Sequence, residues 1–201
     1  QYDAWLVTQF QSAAVEVRRE AIASILMQLT GAKGVFDRSD AATRQREGLA
    51  PHIGVLAGSN PPERIEVVED GVRYGVDVRK GHKTGFYIDQ RESRLAVQRL
   101  AREFREKNGR GLRALNCFCY TGGFSLALMA GGADSVDSVD SSADALAQAR
   151  ANAKLNRLPE SALNWIEADV FEYLRKAREA GKTYDLVILD PPKFASSHYH
   201  V

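Results

Sequence analysis

Four short motifs in the second half of the chain contain residue types that hold a nucleoside-containing ligand. The first is a glycine-rich turn, Cys119-Tyr120-Thr121-Gly122-Gly123. Glycines let a ligand approach the backbone, and a helix that begins there offers free N–H groups to a carboxylate. The turn lacks the G-x-G-x-x-G spacing of dinucleotide sites. By itself it is equally consistent with an ordinary strand-to-helix turn.

Two isolated aspartates form the second and third motifs. Asp140, followed by Ser141, can accept hydrogen bonds from both hydroxyls of a ribose. Asp169 can accept one from the amino group of an adenine. Either carboxylate can instead cap the helix that follows it, although Ser141 and Ser142 could cap the first helix and leave Asp140 available.

The fourth motif is Asp190-Pro191-Pro192-Lys193-Phe194. Two prolines directly after an apolar segment stiffen the backbone and remove two N–H donors. We therefore expect the Asp190 carboxylate to be fixed at the end of that segment, facing a binding crevice. The alternative is a rigid strand exit without a binding role.

These motifs follow the predicted strands of an alternating strand and helix pattern. The predicted strands are Leu112–Asn116, Ser135–Val139, Leu163–Glu167 and Tyr184–Leu189. The predicted helices are Gly122–Gly131, Ala143–Leu155 and Val170–Ala180. Such alternation predicts an α/β fold whose parallel sheet binds ligands at the carboxyl ends of its strands. A glycine turn, two acids and Asp-Pro-Pro in this order are the layout of class I (Rossmann-like) methyltransferases, so we expect S-adenosyl-L-methionine as cofactor.

The first half of the chain predicts a smaller α+β domain. Its expected elements are a helix Val15–Leu29 ended by Gly31 and Gly34, a short strand Val35–Asp37, an irregular segment Arg38–Pro62, and β-rich stretches Arg64–Glu69 and Val72–Arg79. The helix places Ile22, Ile25, Leu26 and Leu29 on one face. Asp70-Gly71 joins the two β-rich stretches and predicts a hairpin, because both positions of such a turn need positive φ.

A helix is predicted to open the second domain. Asp89 is the expected N-cap, with Glu92 three residues later, and the segment Asn108–Gly111 ends the helix. Its expected buried side chains are Leu95, Leu100 and Phe104. We place the domain boundary so that residues 1–85 form the small domain and residues 86–201 the methyltransferase domain.

Composition narrows the class of protein. The chain has 201 residues, with 27 Lys and Arg against 26 Asp and Glu, so net charge argues neither for nor against nucleic acid. No apolar run is long enough for a membrane span, and no secretory signal is recognisable. Cys117 and Cys119 are too few for a metal site and indicate a reducing, cytoplasmic setting.

Several motifs together resemble the bacterial ribosomal RNA large subunit methyltransferase I family. They are Val35–Asp40, Lys80–Arg91, Leu115–Phe124 and Asp190–Phe194. The resemblance covers nearly the whole chain and implies methylation of cytosine C5 in 23S rRNA. It also implies an RNA-binding PUA domain before Gln1, further strands after Val201, and a nucleophilic cysteine beyond residue 201.

The resemblance also implies roles for residues outside the first three motifs. Gln90 and Arg91 are expected to line the cofactor site, and Asp190 to orient the target base. Cytosine C5 takes a methyl group only after a thiolate has added to C6. We interpret Cys117 and Cys119 as packing residues rather than as this nucleophile.

Candidate RNA contacts are lysines and aromatic residues around the boundary between the two predicted domains. Lys80 and Lys83 can meet phosphates, and Phe86 and Tyr87 can stack on bases. Lys193 can meet a phosphate or the base, or be a solvated lysine. Two other functions stay open: methylation of an exocyclic amine, and a fragment that holds cofactor or RNA without turnover. A homodimer is a further expectation.

Overall fold

The computed structural model of the chain describes residues 1–40, 43–81 and 84–192. The chain divides into two compact units. Residues Gln1–Val67 and Gly75–Ile88 form the first, and residues Val68–Tyr74 and Asp89–Val201 the second. The predicted domain boundary after residue 85 stays a prediction.

The second unit contains a parallel sheet of four strands: β6 (Arg113–Cys117), β7 (Ser135–Asp140), β8 (Leu163–Glu167) and β9 (Leu186–Leu189). Their spatial order is β8-β7-β6-β9, and every pair is parallel. Helices α5 (Gly123–Ala130), α6 (Ala143–Leu155) and α7 (Val170–Glu179) connect them. The predicted α/β fold class is confirmed, because successive strands joined by helices must run in the same direction.

Helix α4 (Arg91–Asn108) precedes the sheet and corrects two predictions. Its N-cap is Gln90 rather than the predicted Asp89, because Asp89 lies within a 3-10 turn, Ile88–Gln90. The Gln90 side chain makes no capping hydrogen bond. Its buried side chains are Arg94, Gln98 and Ala101, whereas Leu100 is 50% exposed.

The reason for this buried face is the close approach of α4 to the end of α5. A Cβ on Gly131 would lie 2.2 Å from the Gln98 carbonyl oxygen and 2.8 Å from the Ala101 Cβ. Small residues rather than leucines therefore mark the contact between the two helices. Gly109 caps α4 in the left-handed conformation, as the expected stop required.

The first unit contains a three-stranded sheet in the order β1-β2-β3. Strand β1 (Trp5–Thr8) runs parallel to β2 (Gly34–Ser39), and β3 (His52–Gly58) is antiparallel to β2. The helices are α1 (Ala13–Glu16), α2 (Arg19–Thr30) and α3 (Thr43–Arg46).

Two predictions for this unit were wrong. The single helix Val15–Leu29 is two helices, and Ile25 and Leu29 are 54% and 78% exposed, so Ala23 is the buried residue of α2. The segment expected to be irregular contains β3, whose Gly58 lies where a Cβ would meet the Lys33 carbonyl at 2.5 Å. That glycine permits close backbone approach within a sheet, and it does not mark a loop.

The predicted hairpin is formed by β4 (Ile65–Glu69) and β5 (Val72–Val76). Asp70 and Gly71 have φ of 48° and 85°, which confirms the turn. Strand β5 ends before the predicted Arg79, because the Asp77 carboxylate accepts hydrogen bonds from the N–H groups of Arg79 and Lys80 at 2.8 and 3.0 Å and closes a turn.

Within the described ranges, none of the helices combines the length and apolar character needed to cross a bilayer. Nor do the described residues bring together three or more side chains suited to hold a metal ion.

Candidate cofactor-binding site

The order of the sheet has a topological switch point beside β6. Strands β7 and β8 lie on one side of β6, and β9 lies on the other, so the direction of chain progression reverses between β6 and β9. Cys117 at the end of β6 pairs with Leu189 at the end of β9. The glycine-rich turn and Asp190 therefore leave neighbouring strand ends at the point where α/β sheets bind ligands.

The turn after β6 has an unusual backbone. Phe118, Tyr120 and Gly122 have φ of 58°, 49° and 80°, so left-handed residues alternate along it. Left-handed backbone costs non-glycine residues roughly 1–2 kcal/mol each. At Gly122 a Cβ would also stand 2.7 Å from the Trp165 ring, so only glycine fits there. We call residues 118–123 the glycine loop.

Asp140 holds this loop at its centre. Its carboxylate accepts one hydrogen bond from the Tyr120 N–H at 2.8 Å and another from the Ser142 N–H at 2.9 Å. Ser142 is the N-cap of α6 and accepts from the Ala145 N–H at 3.2 Å, so Asp140 is not needed as the cap. A carboxylate has about four acceptor positions, so the two bonds leave capacity for further donors.

Asp169 has the local role that its sequence position also allowed. It is the N-cap of α7, and its Oδ1 accepts from the Glu172 N–H at 2.8 Å. This bond fixes the carboxylate at the carboxyl end of β8, on the same sheet edge as Asp140. The adenine contact expected of Asp169 stays a prediction.

Gln90 and Asp190 meet although they are 100 residues apart. The Gln90 side-chain amide donates to Asp190 Oδ2 at 2.6 Å, which joins the start of α4 to the end of β9. Arg91, predicted to line the same site, extends instead to Asp70 at 3.5 Å, and its side chain is 56% exposed. Of these two neighbours, Gln90 is the one that reaches the predicted catalytic carboxylate.

The sequence of the chain matches that of a known family. The sequence profile of the S-adenosylmethionine-dependent methyltransferases matches residues 3–201. The chain belongs to this family. The glycine loop, the helix that begins at Gly123 and the carboxylate of Asp140 provide the backbone donors and acidic acceptor that suit the amino acid and ribose parts of such a cofactor.

Several relatives of this methyltransferase chain share one name. It is 45% identical to Ribosomal RNA large subunit methyltransferase I of Photobacterium profundum, over 98% of this chain and 47% of the relative. It is 46% identical to the protein of the same name from Aeromonas salmonicida, over 98% and 48%. The chain thus spans about half the length of the curated relatives it matches.

Solved structures agree with the family. SMU.776 in complex with SAH superposes with a TM-score of 0.79 at 28% identity, covering 98% of this chain and 48% of that one. The tRNA m1G37 methyltransferase of M. jannaschii superposes with a TM-score of 0.68 at 25% identity, covering 95% and 50%.

Cys117 at the end of β6 and Cys119 in the glycine loop are both buried. Cys117 is 0% and Cys119 5% exposed. Burial raises the pKa of the Cys117 thiol to about 11. Burial also raises the pKa of Cys119, and the Asp140 carboxylate adds to this effect. Both are therefore protonated thiols near neutral pH, which fits the packing role and not that of a nucleophile.

The residues predicted to contact RNA differ in their exposure to solvent. Lys80 is exposed and Tyr87 half-buried, but Phe86 is 7% exposed, and its carbonyl accepts from the Tyr2 hydroxyl at 3.3 Å. The interior position of Phe86 argues against base stacking. Lys83 and Lys193 lie outside the described residues.

One side chain that supports the glycine loop was missed. Asn152 of α6 is 2% exposed and donates to the Thr121 carbonyl at 3.2 Å. A sequence signal existed, because Asn152 and Asn156 are spaced four residues apart in an alanine-rich helix, where a buried amide must have hydrogen-bond partners.

Proposed function

We propose that this chain is the cofactor-binding part of a methyltransferase that acts on ribosomal RNA, with C5 of a cytosine in 23S rRNA as the target. The observation that carries the proposal is the 45–46% identity, over 98% of the chain, to proteins named Ribosomal RNA large subunit methyltransferase I. The polar groups gathered at the sheet edge support it, because each has a task in such a reaction.

The glycine loop and the acids of β7 and β8 would hold the cofactor. We assign the loop, from Cys119 to Gly123, to the methionine part of the cofactor. The N–H groups of Tyr120 and Gly122 already donate to Asp140 and to the Cys119 carbonyl, so the N–H groups of the first turn of α5 would meet the methionine carboxylate. Asp140, with Ser141 beside it, would accept the ribose hydroxyls, and Asp169 the adenine amino group. When bound, S-adenosyl-L-methionine supplies an electrophilic methyl group on a sulfonium sulfur.

Asp190 would orient the target base. A cytosine presents an exocyclic amine as donor, and a carboxylate at a strand end can accept from it. Gln90 already donates to one oxygen of Asp190, Oδ2, so the other oxygen can face the base. Gln90 thereby positions Asp190, and Arg91 is assigned to the rim of the site.

Reaction at C5 needs a nucleophile for C6. A thiolate that adds to C6 makes C5 electron-rich; C5 then takes the methyl group, loses its proton, and the thiolate leaves. The buried thiols of Cys117 and Cys119 are unsuited to this step, so we assign it to a further cysteine, which the family resemblance places beyond residue 201. Lys80 and Tyr87, with Lys83 and Lys193, would contact the RNA.

The test is identification of the methylated nucleoside. A 23S rRNA fragment is incubated with the full-length protein and methyl-labelled cofactor, digested and analysed by mass spectrometry. 5-Methylcytidine is the expected product. A product methylated on an exocyclic amine would show that the target atom is the amino nitrogen and not C5. The Asp190-Pro191-Pro192 motif can also serve methylation of an amine. No product from a chain that binds S-adenosylhomocysteine would indicate binding without turnover.

Two properties complete the proposal. Cytoplasmic location follows from a ribosomal RNA substrate, and is supported by the free thiols of Cys117 and Cys119. A homodimer is the proposed assembly, and light scattering of the purified protein tests it, since a monomeric mass would contradict it.

A further inference from the structure

The tip of the β4–β5 hairpin lies within the same compact unit as the glycine loop. Residues 68–74 make no part of the parallel sheet, yet they bind α4 and α6 through specific polar contacts. We propose that this tip supports the glycine loop and that Asn156 is the positioning residue that links the two. The functional part of this inference rests on the proposed cofactor role of the loop.

Asn156 connects the hairpin to α6. Its side-chain oxygen accepts from the Arg73 N–H at 2.8 Å, and its side-chain nitrogen donates to the Arg73 carbonyl at 2.6 Å. One amide thus pairs with both backbone groups of a hairpin residue, as a neighbouring strand would. The same nitrogen donates to the Asn152 carbonyl at 2.8 Å, so the hairpin contact and the last turn of α6 are held together.

Asn152 carries the connection into the loop. Its Oδ1 accepts from the Gln148 side chain at 3.1 Å, which orients the amide so that Nδ2 donates to the Thr121 carbonyl at 3.2 Å. Asn152 is 2% exposed. A buried amide with defined donors and acceptors has one stable orientation, because reversal would leave polar atoms buried without partners.

The other side of the tip lies close to a second carbonyl of the loop, that of Gly123. The buried Arg94 forms a two-point ion pair with the half-buried Glu69, with distances of 2.6 and 2.9 Å. The Arg94 Cδ lies 3.3 Å from where a Cβ on Gly123 would stand, and the Tyr74 hydroxyl is 3.5 Å from the Gly123 carbonyl oxygen. Tyr74 is 1% exposed.

The two supported carbonyls, of Thr121 and Gly123, flank left-handed Gly122. Because a peptide is planar, fixing a carbonyl also fixes the N–H on its other side. For the Gly123 carbonyl this is the Phe124 N–H, in the first turn of α5, where helical N–H groups have no carbonyl of their own. The hairpin tip therefore sets the direction of the donors that we assign to the cofactor.

The experiment compares Asn156→Ala with Asn108→Ala. Asn108 is a matched control, since it also ends a helix and donates to the carbonyl four residues earlier, that of Phe104, at 2.7 Å. Binding of S-adenosylhomocysteine is measured by calorimetry, and hydrogen exchange of peptides covering residues 119–124 is measured without ligand. Asn156→Asp, which keeps the size but removes the donors, guards against a folding defect.

We expect Asn156→Ala to bind S-adenosylhomocysteine roughly five- to tenfold more weakly, as loss of two or three hydrogen bonds at one remove predicts. Loop exchange should be faster in that variant and in Asn156→Asp, and both quantities should be unchanged in Asn108→Ala. Unchanged affinity and exchange in Asn156→Ala would overturn the inference, as would equal losses in Asn108→Ala. If the wild-type chain failed to bind while loop exchange still rose in Asn156→Ala, the cofactor role would be refuted and the support role upheld.

Discussion

Replacement of Asp140 by alanine tests the centre of the candidate site. The carboxylate accepts from the Tyr120 and Ser142 N–H groups, and the first of these bonds holds a left-handed residue with φ of 49°. Hydrogen bonds to a charged group contribute about 1.5–3 kcal/mol each when buried. Asp140 is only half-buried, so values near the lower end apply. We expect Asp140→Ala to lower the free energy of unfolding by about 2–3 kcal/mol.

The same change should weaken the cofactor site in two separable ways. Release of Tyr120 disorders the loop, and loss of the carboxylate removes the proposed acceptor of the ribose hydroxyls. Each effect is about 1–2 kcal/mol, so the affinity for S-adenosylhomocysteine should fall about 30-fold to several hundredfold.

A deoxygenated ligand distinguishes these effects. Calorimetry is run with S-adenosylhomocysteine and with its 2′,3′-dideoxy analogue on wild type, Asp140→Ala and the control Asp144→Ala. Asp144 is an exposed carboxylate in the first turn of α6, the helix that follows Asp140. If Asp140 binds the ribose, the mutant loses more affinity for the normal ligand than for the analogue. Equal losses would leave Asp140 as a loop anchor only, and an affinity within twofold of wild type would refute both roles.

Three further predictions concern the loop, a buried thiol and an ion pair. Gly122→Ala places a Cβ at a φ of 80° and 2.7 Å from the Trp165 ring, so we expect loss of S-adenosylhomocysteine binding and of about 2–4 kcal/mol of stability. The control Gly109→Ala, at a φ of 67° with open space around the new Cβ, should retain binding. Loss of binding in both variants would contradict the steric argument. Because burial raises the pKa of Cys117 to about 11, iodoacetamide at pH 8 should modify this thiol only after denaturation, and rapid labelling of the native protein would be inconsistent with that burial. The Arg110 guanidinium holds the pKa of the Asp185 carboxyl well below its usual range. A carboxyl whose pKa is lowered in the folded state stabilises the protein above its unfolded pKa, which is near 4, so Asp185→Asn should lower the Tm at pH 7. This difference in Tm should shrink as the pH falls below 4, and a pH-independent difference would exclude the electrostatic cause.

The second half of the fold was predictable because each of its signals is local. Strands β6 to β9 alternate with helices of ordinary length, and the observed bounds differ from the predicted ones by a few residues at most. Regular alternation of strands and helices along a chain predicts a parallel sheet without any knowledge of tertiary contacts. The positions of the glycine loop, Asp140, Asp169 and Asp190 at strand ends followed directly.

The first unit was harder, since its signals conflict. Strand β3 contains Gly54 and Gly58, which resemble loop residues until the pairing of Gly58 with Gly34 is known. Leu29 lies at helical spacing with apolar neighbours but is 78% exposed. In both cases tertiary contacts decide, and no pattern within a short window contains them.

The polar contacts of the site also divide into those predictable from local sequence and those that depend on tertiary structure. That acids would gather at one sheet edge is a consequence of topology. That Asp140 bonds to Tyr120, or that Gln90 reaches Asp190, depends on the direction of single side chains across 20 and 100 residues of sequence. Such pairs cannot be predicted from spacing, and a contact leaves a trace in the sequence only where a polar residue stands at a position that is otherwise apolar and buried.

Asn152 illustrates what this trace is worth. An alanine-rich helix packed on a sheet has no need of a buried amide, and burial of an amide without partners costs about 1–3 kcal/mol. Its presence therefore implies a partner that the rest of the fold must supply, which here is the Thr121 carbonyl of the glycine loop. The energetic cost of a buried amide thus implies a contact, and here that contact holds the backbone of the glycine loop.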